Sequence, residues 1–239
     1  MSDIIHEEII RSKKINNTTK SIENMIKEFL YYYPINKNLN KEHMDQVYSI
    51  EDPRNTTIWK YNFVKYENLL NNLPEYIWNV LELWCWEWEL TKMVSFKANS
   101  IDAIDIAEKS IKKAETLWLL NVKFHNIDMI KFDFKQNYDT IIACESLGYL
   151  IWYNNMYDVI IFLKKLFDHL EYNWKIIILN TVADVDKKTW LSNTEYYKHA
   201  RESYYSILES LWLKKEILWL YEWEKQWAKR EYEIIKFQK

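Results

Sequence analysis

From position 77 onward the chain alternates short apolar runs with stretches of helical periodicity, and this alternation constrains the fold more than any other feature. The pattern predicts strands at 80–83, 100–105, 122–125, 138–143 and 175–180, with helices at 89–96, 107–117, 156–170 and 193–211. The run Lys-Ile-Ile-Ile-Leu-Asn at 175–180 is apolar without alternation, as in a strand covered on both faces. Strands at 214–221 and 230–237 close the chain, near enough in sequence to pair as a hairpin. Strand–helix–strand order implies a mostly parallel sheet with helices on both sides, because parallel neighbours need a crossover connection. The expectation is an α/β fold over 75–239: a doubly wound, mostly parallel sheet with an antiparallel C-terminal strand pair.

Residues 1–74 read as an N-terminal helical extension. Ile22, Met25, Ile26, Phe29 and Leu30 recur at helical spacing, predicting a helix at 18–32 that Pro34 ends. Asp52-Pro53 marks a turn. Tyr61, Val64, Lys65, Asn68 and Leu69 fit a second helix ending before Pro74. The extension is either a packing element or a lid over a site. Tyr61 and Tyr66 are core or rim aromatics, or line a substrate entrance.

Several function classes are disfavoured by composition. A net charge of −3 and a pI near 6.0 give no basic signature for nucleic acid. No apolar run approaches the roughly 18 residues of a membrane span, and the acidic start Met-Ser-Asp-Ile-Ile-His-Glu-Glu lacks a secretory pattern. Two cysteines, Cys85 and Cys144, are too few for a disulfide framework. They read as thiols in a reducing compartment, so a soluble, cytoplasmic chain is expected. The five His (6, 43, 125, 169 and 199) show no metal-ligand spacing and the cysteines form no Cys-x-x-Cys pair, so no metal is expected.

The stretch 79–90, Asn-Val-Leu-Glu-Leu-Trp-Cys-Trp-Glu-Trp-Glu-Leu, joins the first strand to its helix. Nucleotide-binding folds place a glycine-rich loop at this junction. Here positions 84, 86 and 88 carry Trp. The chain has one Gly and 13 Trp, whereas Gly averages about 7% of globular chains. Trp118 and Trp212 each stand between a helix and the next strand, where a left-handed residue is expected, and Trp174 stands a turn ahead of a buried strand. Gly adopts positive φ freely and bulky residues do not. The codon TGA means Trp in some genetic codes and Gly in others. We therefore expect that most of these Trp are glycine codons read with the wrong table. Trp59, Trp152 and Trp190 are compatible with genuine tryptophan. The alternative is a protein truly rich in Trp.

Acids stand at the strand ends that follow. Asp105 closes the second strand, 21 positions after Trp84, near the roughly 20-residue offset of a ribose-binding acid. It could equally cap the next helix. Asp128, in His-Asn-Ile-Asp-Met after the third strand, could accept from an adenine amino group or be a simple turn residue. Glu82 lies inside an apolar strand. A carboxylate there is costly unless paired, and a ligand ammonium would pair it.

These stretches together resemble the class I S-adenosylmethionine-dependent methyltransferases, whose fold is Rossmann-like, over about residues 77–239. Glu-Leu-Trp-Cys-Trp-Glu-Trp matches that family's Glu-x-Gly-x-Gly-x-Gly motif once Trp is read as Gly. Ile-Asp-Ala-Ile-Asp-Ile-Ala and Asn-Ile-Asp-Met match its second and third motifs. Tyr-Asp-Thr-Ile-Ile-Ala-Cys-Glu-Ser-Leu-Gly-Tyr-Leu matches the stretch bordering the substrate. The resemblance implies S-adenosyl-L-methionine as cofactor. Trp84, Cys85, Trp86 and Trp88 would face its methionine part with Glu82 nearby. Asp105 would hold the ribose, Ile106 beside it would also border the cofactor, and Ile127 with Asp128 would flank the adenine. With Trp at 84, 86 and 88 the cofactor space would be filled. Over about residues 45–180 the chain also resembles the nodulation-protein-S group, whose members methylate nitrogen on small molecules.

Methyl transfer from a sulfonium is an in-line displacement, so holding the acceptor against the methyl is the main task. Glu145, Tyr149 and Tyr153 follow the fourth strand and are the candidates for the acceptor face. Glu145 is expected both to border the cofactor and to orient or deprotonate an amine, unless it is a surface turn residue. The expected activity is methyl transfer to N or O of a small molecule. The rivals are an RNA methyltransferase and a non-catalytic domain of the same fold.

Overall fold

The computed structural model describes residues 60–85, 88–186, 191–192, 194–224 and 228–238. The predicted helix at 18–32 and the Asp52-Pro53 turn lie outside the described residues. The chain enters through α1 (Lys60–Asn71). It continues as β1 (Ile77–Leu83), α2 (Trp88–Ser95), β2 (Ala98–Asp105), α3 (Glu108–Glu115) and β3 (Val122–Asn126). After a 3-10 turn at Met129–Lys131 come β4 (Tyr138–Cys144), α4 (Leu147–Tyr153), α5 (Met156–Asp168) and β5 (Leu170–Asp186). The last elements are β6 (Leu191–Ser192), α6 (Thr194–Ser210), β7 (Lys214–Glu224) and β8 (Ala228–Gln238).

All eight strands form one sheet, in the order β3-β2-β1-β4-β5-β8-β7 with β6 beside β5. The first five are parallel, and β7 and β8 run antiparallel to complete one edge. The expected doubly wound sheet and C-terminal hairpin are both present. Within β5 the successive residues Ile176, Ile177, Ile178 and Leu179 are all apolar and buried because both faces are covered there. Leu81, Leu83, Ile141 and Ile176 pack on one face with Val159, Phe162, Leu163 and Leu166 of α5 and Tyr204 and Leu208 of α6. Val80, Ile142, Ile177 and Leu179 pack on the other with Leu69 of α1, Leu90 and Val94 of α2, and Ile111 of α3.

Local chemistry sets the helix ends. Asn155 caps α5 by accepting from the Asp158 N–H at 3.0 Å. Its buried residues then fall at i, i+3, i+4 and i+7. Three features depart from expectation, the first being that β5 begins at Leu170, so that Trp174 lies inside the strand and not at a turn ahead of it. β5 extends well past position 180, because antiparallel pairing with β8 carries it to Asp186. The seven-residue helix α4 was not predicted, since Leu-Gly-Tyr-Leu-Ile-Trp-Tyr is too short and too evenly apolar to show a 3.6-residue period.

The strand order reverses between β1 and β4, whose neighbours on the far sides are β2 and β5. In open parallel sheets the crevice outside the carboxyl ends of the strands at such a reversal is where ligands bind.

Candidate functional site

The site is built on the ends of β1, β2 and β4. Trp84 leaves β1 with φ of 67°, and the next N–H, of Cys85, donates to the Ile104 carbonyl at 2.9 Å. The left-handed residue thus turns the chain while the β1–β2 ladder runs one step further. Trp84 is buried, and its indole lies 4.4 Å from the Tyr149 ring of α4, tilted by 35°. The side chain therefore occupies the space between the exit of β1 and the helix that follows β4. Trp88 opens α2 and is half-buried. Trp86 lies outside the described residues.

Glu82 sits in β1 between Ala103 of β2 and Ile142 of β4, almost fully buried. Among the described residues no hydrogen-bond partner reaches its Oε2. Burial pushes its carboxyl up to about 7, tempered by the nearby Thr91 hydroxyl, which closes no hydrogen bond of good geometry. Burial also pushes the Cys85 thiol well above its ordinary value, reinforced by the charges of Asp105 and Glu82. Cys85 is thus a core thiol, not a nucleophile. Neither cysteine forms a disulfide.

Asp105 ends β2 and is 1% exposed. Its Oδ1 accepts from the Ala107 N–H at 2.7 Å, which fixes the turn into α3. The Asp105 carbonyl accepts from the Ile127 N–H at 3.0 Å and from the Asn126 side-chain amide at 3.2 Å. This stitching brings Asp105 and Ile127 side by side. Ile106 and Ile127 are half-buried against the core. Asp128 caps the 3-10 turn, its Oδ1 accepting from the Ile130 N–H at 3.2 Å.

Glu145 follows β4 with φ of 53°. Three contacts hold this uncommon conformation. Its N–H donates to the Leu179 carbonyl at 2.7 Å, Lys65 Nζ lies 3.3 Å from Oε2, and the Thr181 hydroxyl donates to Oε1. Strain at a non-glycine residue persists only where the surroundings over-determine it, and such positions cluster at functional sites. Of the two remaining acceptor-face candidates, Tyr149 packs its ring against that of Trp84, and Tyr153 ends α4.

Lys65 was read from the sequence only as part of a helix. It is 3% exposed, and it also lies over the Tyr66 and Tyr232 rings, with centroids at 5.1 and 5.2 Å. The available signal was its spacing, since Lys65 and the fully buried Leu69 share one stripe of α1. Thr181 and the cluster beside it gave no signal. Asn180 accepts from the Tyr204 hydroxyl at 2.7 Å and donates to that of Tyr205 at 2.6 Å. Tyr205 in turn donates to Glu233, which Arg201 pairs at 3.0 Å. This chain of bonds anchors α6 to the middle of β5 and of β8, where Asn180 and Glu233 pair across the ladder.

Among the described residues no cluster of His, Cys, Asp or Glu could hold a metal, and no helix is long and apolar enough to cross a membrane. The polar frame suits a nucleoside bearing an ammonium group: Glu82 is a buried acid with an open oxygen, and Asp105 stands at the strand-end position for ribose hydroxyls. The side chain at 84 does not suit it, because the indole takes up the room such a ligand needs.

The sequence profile of the nodulation protein S (NodS) family matches residues 36–185. No curated protein matches the chain. Among solved structures, the N-methyltransferase NodS from Bradyrhizobium japonicum WM9, crystallised with S-adenosyl-L-homocysteine, superposes with a TM-score of 0.61. It is 13% identical, over 83% of this chain and 97% of that one. A DhpI complex with SAM and HEP gives a TM-score of 0.55 at 12% identity, covering 94% of this chain and all of that one. Phosphoethanolamine N-methyltransferase 1 from Haemonchus contortus, with phosphoethanolamine and S-adenosylhomocysteine, gives 0.51 at 17% identity. That match covers 59% of this chain and 31% of the larger enzyme. At these identities the likeness is one of fold.

Proposed function

This chain belongs to the nodulation protein S (NodS) family, and from that premise we propose that it is an S-adenosyl-L-methionine-dependent methyltransferase acting on a small molecule, with nitrogen as the acceptor atom ahead of oxygen. The observation that carries the reading is Glu82, a buried carboxylate with an open oxygen in the strand beside the order reversal. A strand interior does not hold such a group without a partner, and the ammonium of a methionine moiety is one. Nitrogen is favoured because the named NodS structure is an N-methyltransferase.

In this reading Asp105 accepts from the ribose hydroxyls, Ile106 and Ile127 form the apolar walls of the base site, and Asp128 borders its amino edge. When bound, the cofactor supplies a methyl group on a positively charged sulfur. Glu145, fixed by Lys65 and Thr181, orients the acceptor amine. Tyr149 shapes the opposite wall and keeps water from the reacting line. No step is assigned to Cys85 or to a metal.

The Trp84 indole favours one rival, a non-catalytic domain of the same fold. The discriminating experiment incubates the protein carrying Gly at 84, 86 and 88 with methyl-labelled S-adenosylmethionine and panels of small amines and alcohols. Label in an acceptor together with S-adenosylhomocysteine release supports the proposal. A protein that binds the cofactor yet labels neither panel contradicts the small-molecule assignment, and one that binds no cofactor contradicts methyl transfer altogether.

A further inference from the structure

Four non-glycine residues among those described adopt positive φ: Trp84 at 67°, Trp118 at 54°, Trp212 at 67° and Glu145 at 53°. Glu145 is explained by its three tethers. The other three are all tryptophan. A non-glycine residue in this region is uncommon, and the enriched types are Asn, Asp and His. Bulk or aromaticity is not the cause, since the chain has 18 Tyr and 9 Phe and none of those described does the same.

Each of the three sits where backbone geometry calls for glycine. After α6, the Trp212 N–H donates to the Glu209 carbonyl at 3.0 Å and the Leu213 N–H to the Leu208 carbonyl at 3.4 Å. These are the two bonds of a Schellman motif with residue 212 at C′, the position glycine favours. Its customary apolar pair is present too, since Leu208 and Leu213 are both buried in one cluster. After α3, the Trp118 N–H donates to the Glu115 carbonyl at 3.3 Å, again closing a helix through a left-handed residue. Nothing in the packing repays an indole at either place: Trp118 is 85% exposed and Trp212 is 93% exposed. At 84 the side chain instead fills the crevice that the acids of β1 and β2 border.

We infer that the working protein carries glycine at 84, 118 and 212, and that its gene specifies these positions by a codon read as glycine in the source cell. At 84 the inference deepens the cofactor-site reading and rests on it for its meaning. At 118 and 212 it stands on backbone geometry alone. Glycine at 84 opens the crevice between β1 and Tyr149, and glycine at 118 and 212 keeps the two left-handed turns while removing the Cβ that strains them.

The test is the mass of tryptic peptides from the protein isolated from the cells that carry its gene. Peptide 114–123 holds only Trp118 and peptide 202–214 only Trp212, while fragmentation of peptide 66–92 locates residue 84. Glycine at all three positions is the expected result. Tryptophan at any of the three overturns the inference. The readout is independent of cofactor and acceptor, so it leaves the methyltransferase proposal to its own assay.

Discussion

The Trp84 and Tyr149 rings meet, tilted by 35°, with centroids 4.4 Å apart across the point where the sheet reverses its strand order. Both flank the crevice, one at the end of β1 and one in the helix after β4. The side chain at position 84 therefore takes up part of that crevice. Trp84→Gly gives up a buried indole, which costs about 3–5 kcal/mol in a packed core. It also removes about 1–2 kcal/mol of left-handed strain. The variant should unfold at lower urea than the chain as written and gain cofactor affinity. Restored urea resistance on adding S-adenosylmethionine checks both parts.

At the two exposed turns the balance runs the other way. Trp118→Gly and Trp212→Gly lose almost no packing and relieve an unfavourable φ. Each should raise stability by about 1 kcal/mol, the strain relief less the entropy of a freer unfolded chain. Denaturation midpoints of the single and double variants measure this. A fall at both sites would show that the indoles contribute contacts after all.

Glu82 gives the fold a pH dependence. Folded, it keeps its proton up to about 7, whereas its ordinary value is 4.5. The folded state therefore binds more protons than the unfolded one between these limits, and the contribution to stability falls as pH rises from about 4.5 to about 7, then levels off. Its size is about 3 kcal/mol. Glu82→Gln should abolish that part of the decline, which urea melts at pH 5 and pH 7.5 would reveal. An equal decline in both proteins would place the effect elsewhere.

Lys65 and Glu145 join α1 to the end of β4. Removing one partner of a well-buried pair costs about 3–5 kcal/mol. Glu145 is 27% exposed, so Lys65→Met should cost less, about 1–3 kcal/mol after solvent screening. The added Glu145→Gln should recover part of it. A double-mutant cycle reads the coupling, and a value near zero would mean the contact anchors nothing.

The separate uses of the Asp105 atoms allow a clean split between stability and binding. Asp105→Asn keeps an oxygen for the Ala107 N–H and should leave the unfolding midpoint nearly unchanged. Losing a charged acceptor for ribose hydroxyls should weaken cofactor binding by about 1.5–3 kcal/mol, tenfold to a hundredfold. Asp105→Ala should lose both. Equal cofactor affinity in the Asn variant would separate this residue from the ribose.

The elements that sequence reasoning recovered are those whose neighbours dictate them. The strand at 175–180 is legible because both its faces are covered, and Asp105 because a fixed offset links it to the β1 loop. The strain-bearing positions 118 and 212 were legible as helix stops. What stayed hidden depends on partners distant in sequence. Lys65 reads as a solvated lysine until Glu145, 80 residues away, is seen beside it. The extension of β5 exists only because β8 returns to pair with it, and the Asn180–Tyr205–Glu233 chain joins three elements that no local pattern relates.

If the crevice at the end of β1 is an S-adenosylmethionine site, the Trp84 indole stands in it. Titration calorimetry of S-adenosylmethionine into the protein with Gly at 84, 86 and 88 tests that assignment most directly. The expected result is saturable one-to-one binding that Asp105→Ala abolishes and that the tryptophan form lacks. A flat trace from the folded glycine form, or equal binding with and without Asp105, would contradict it.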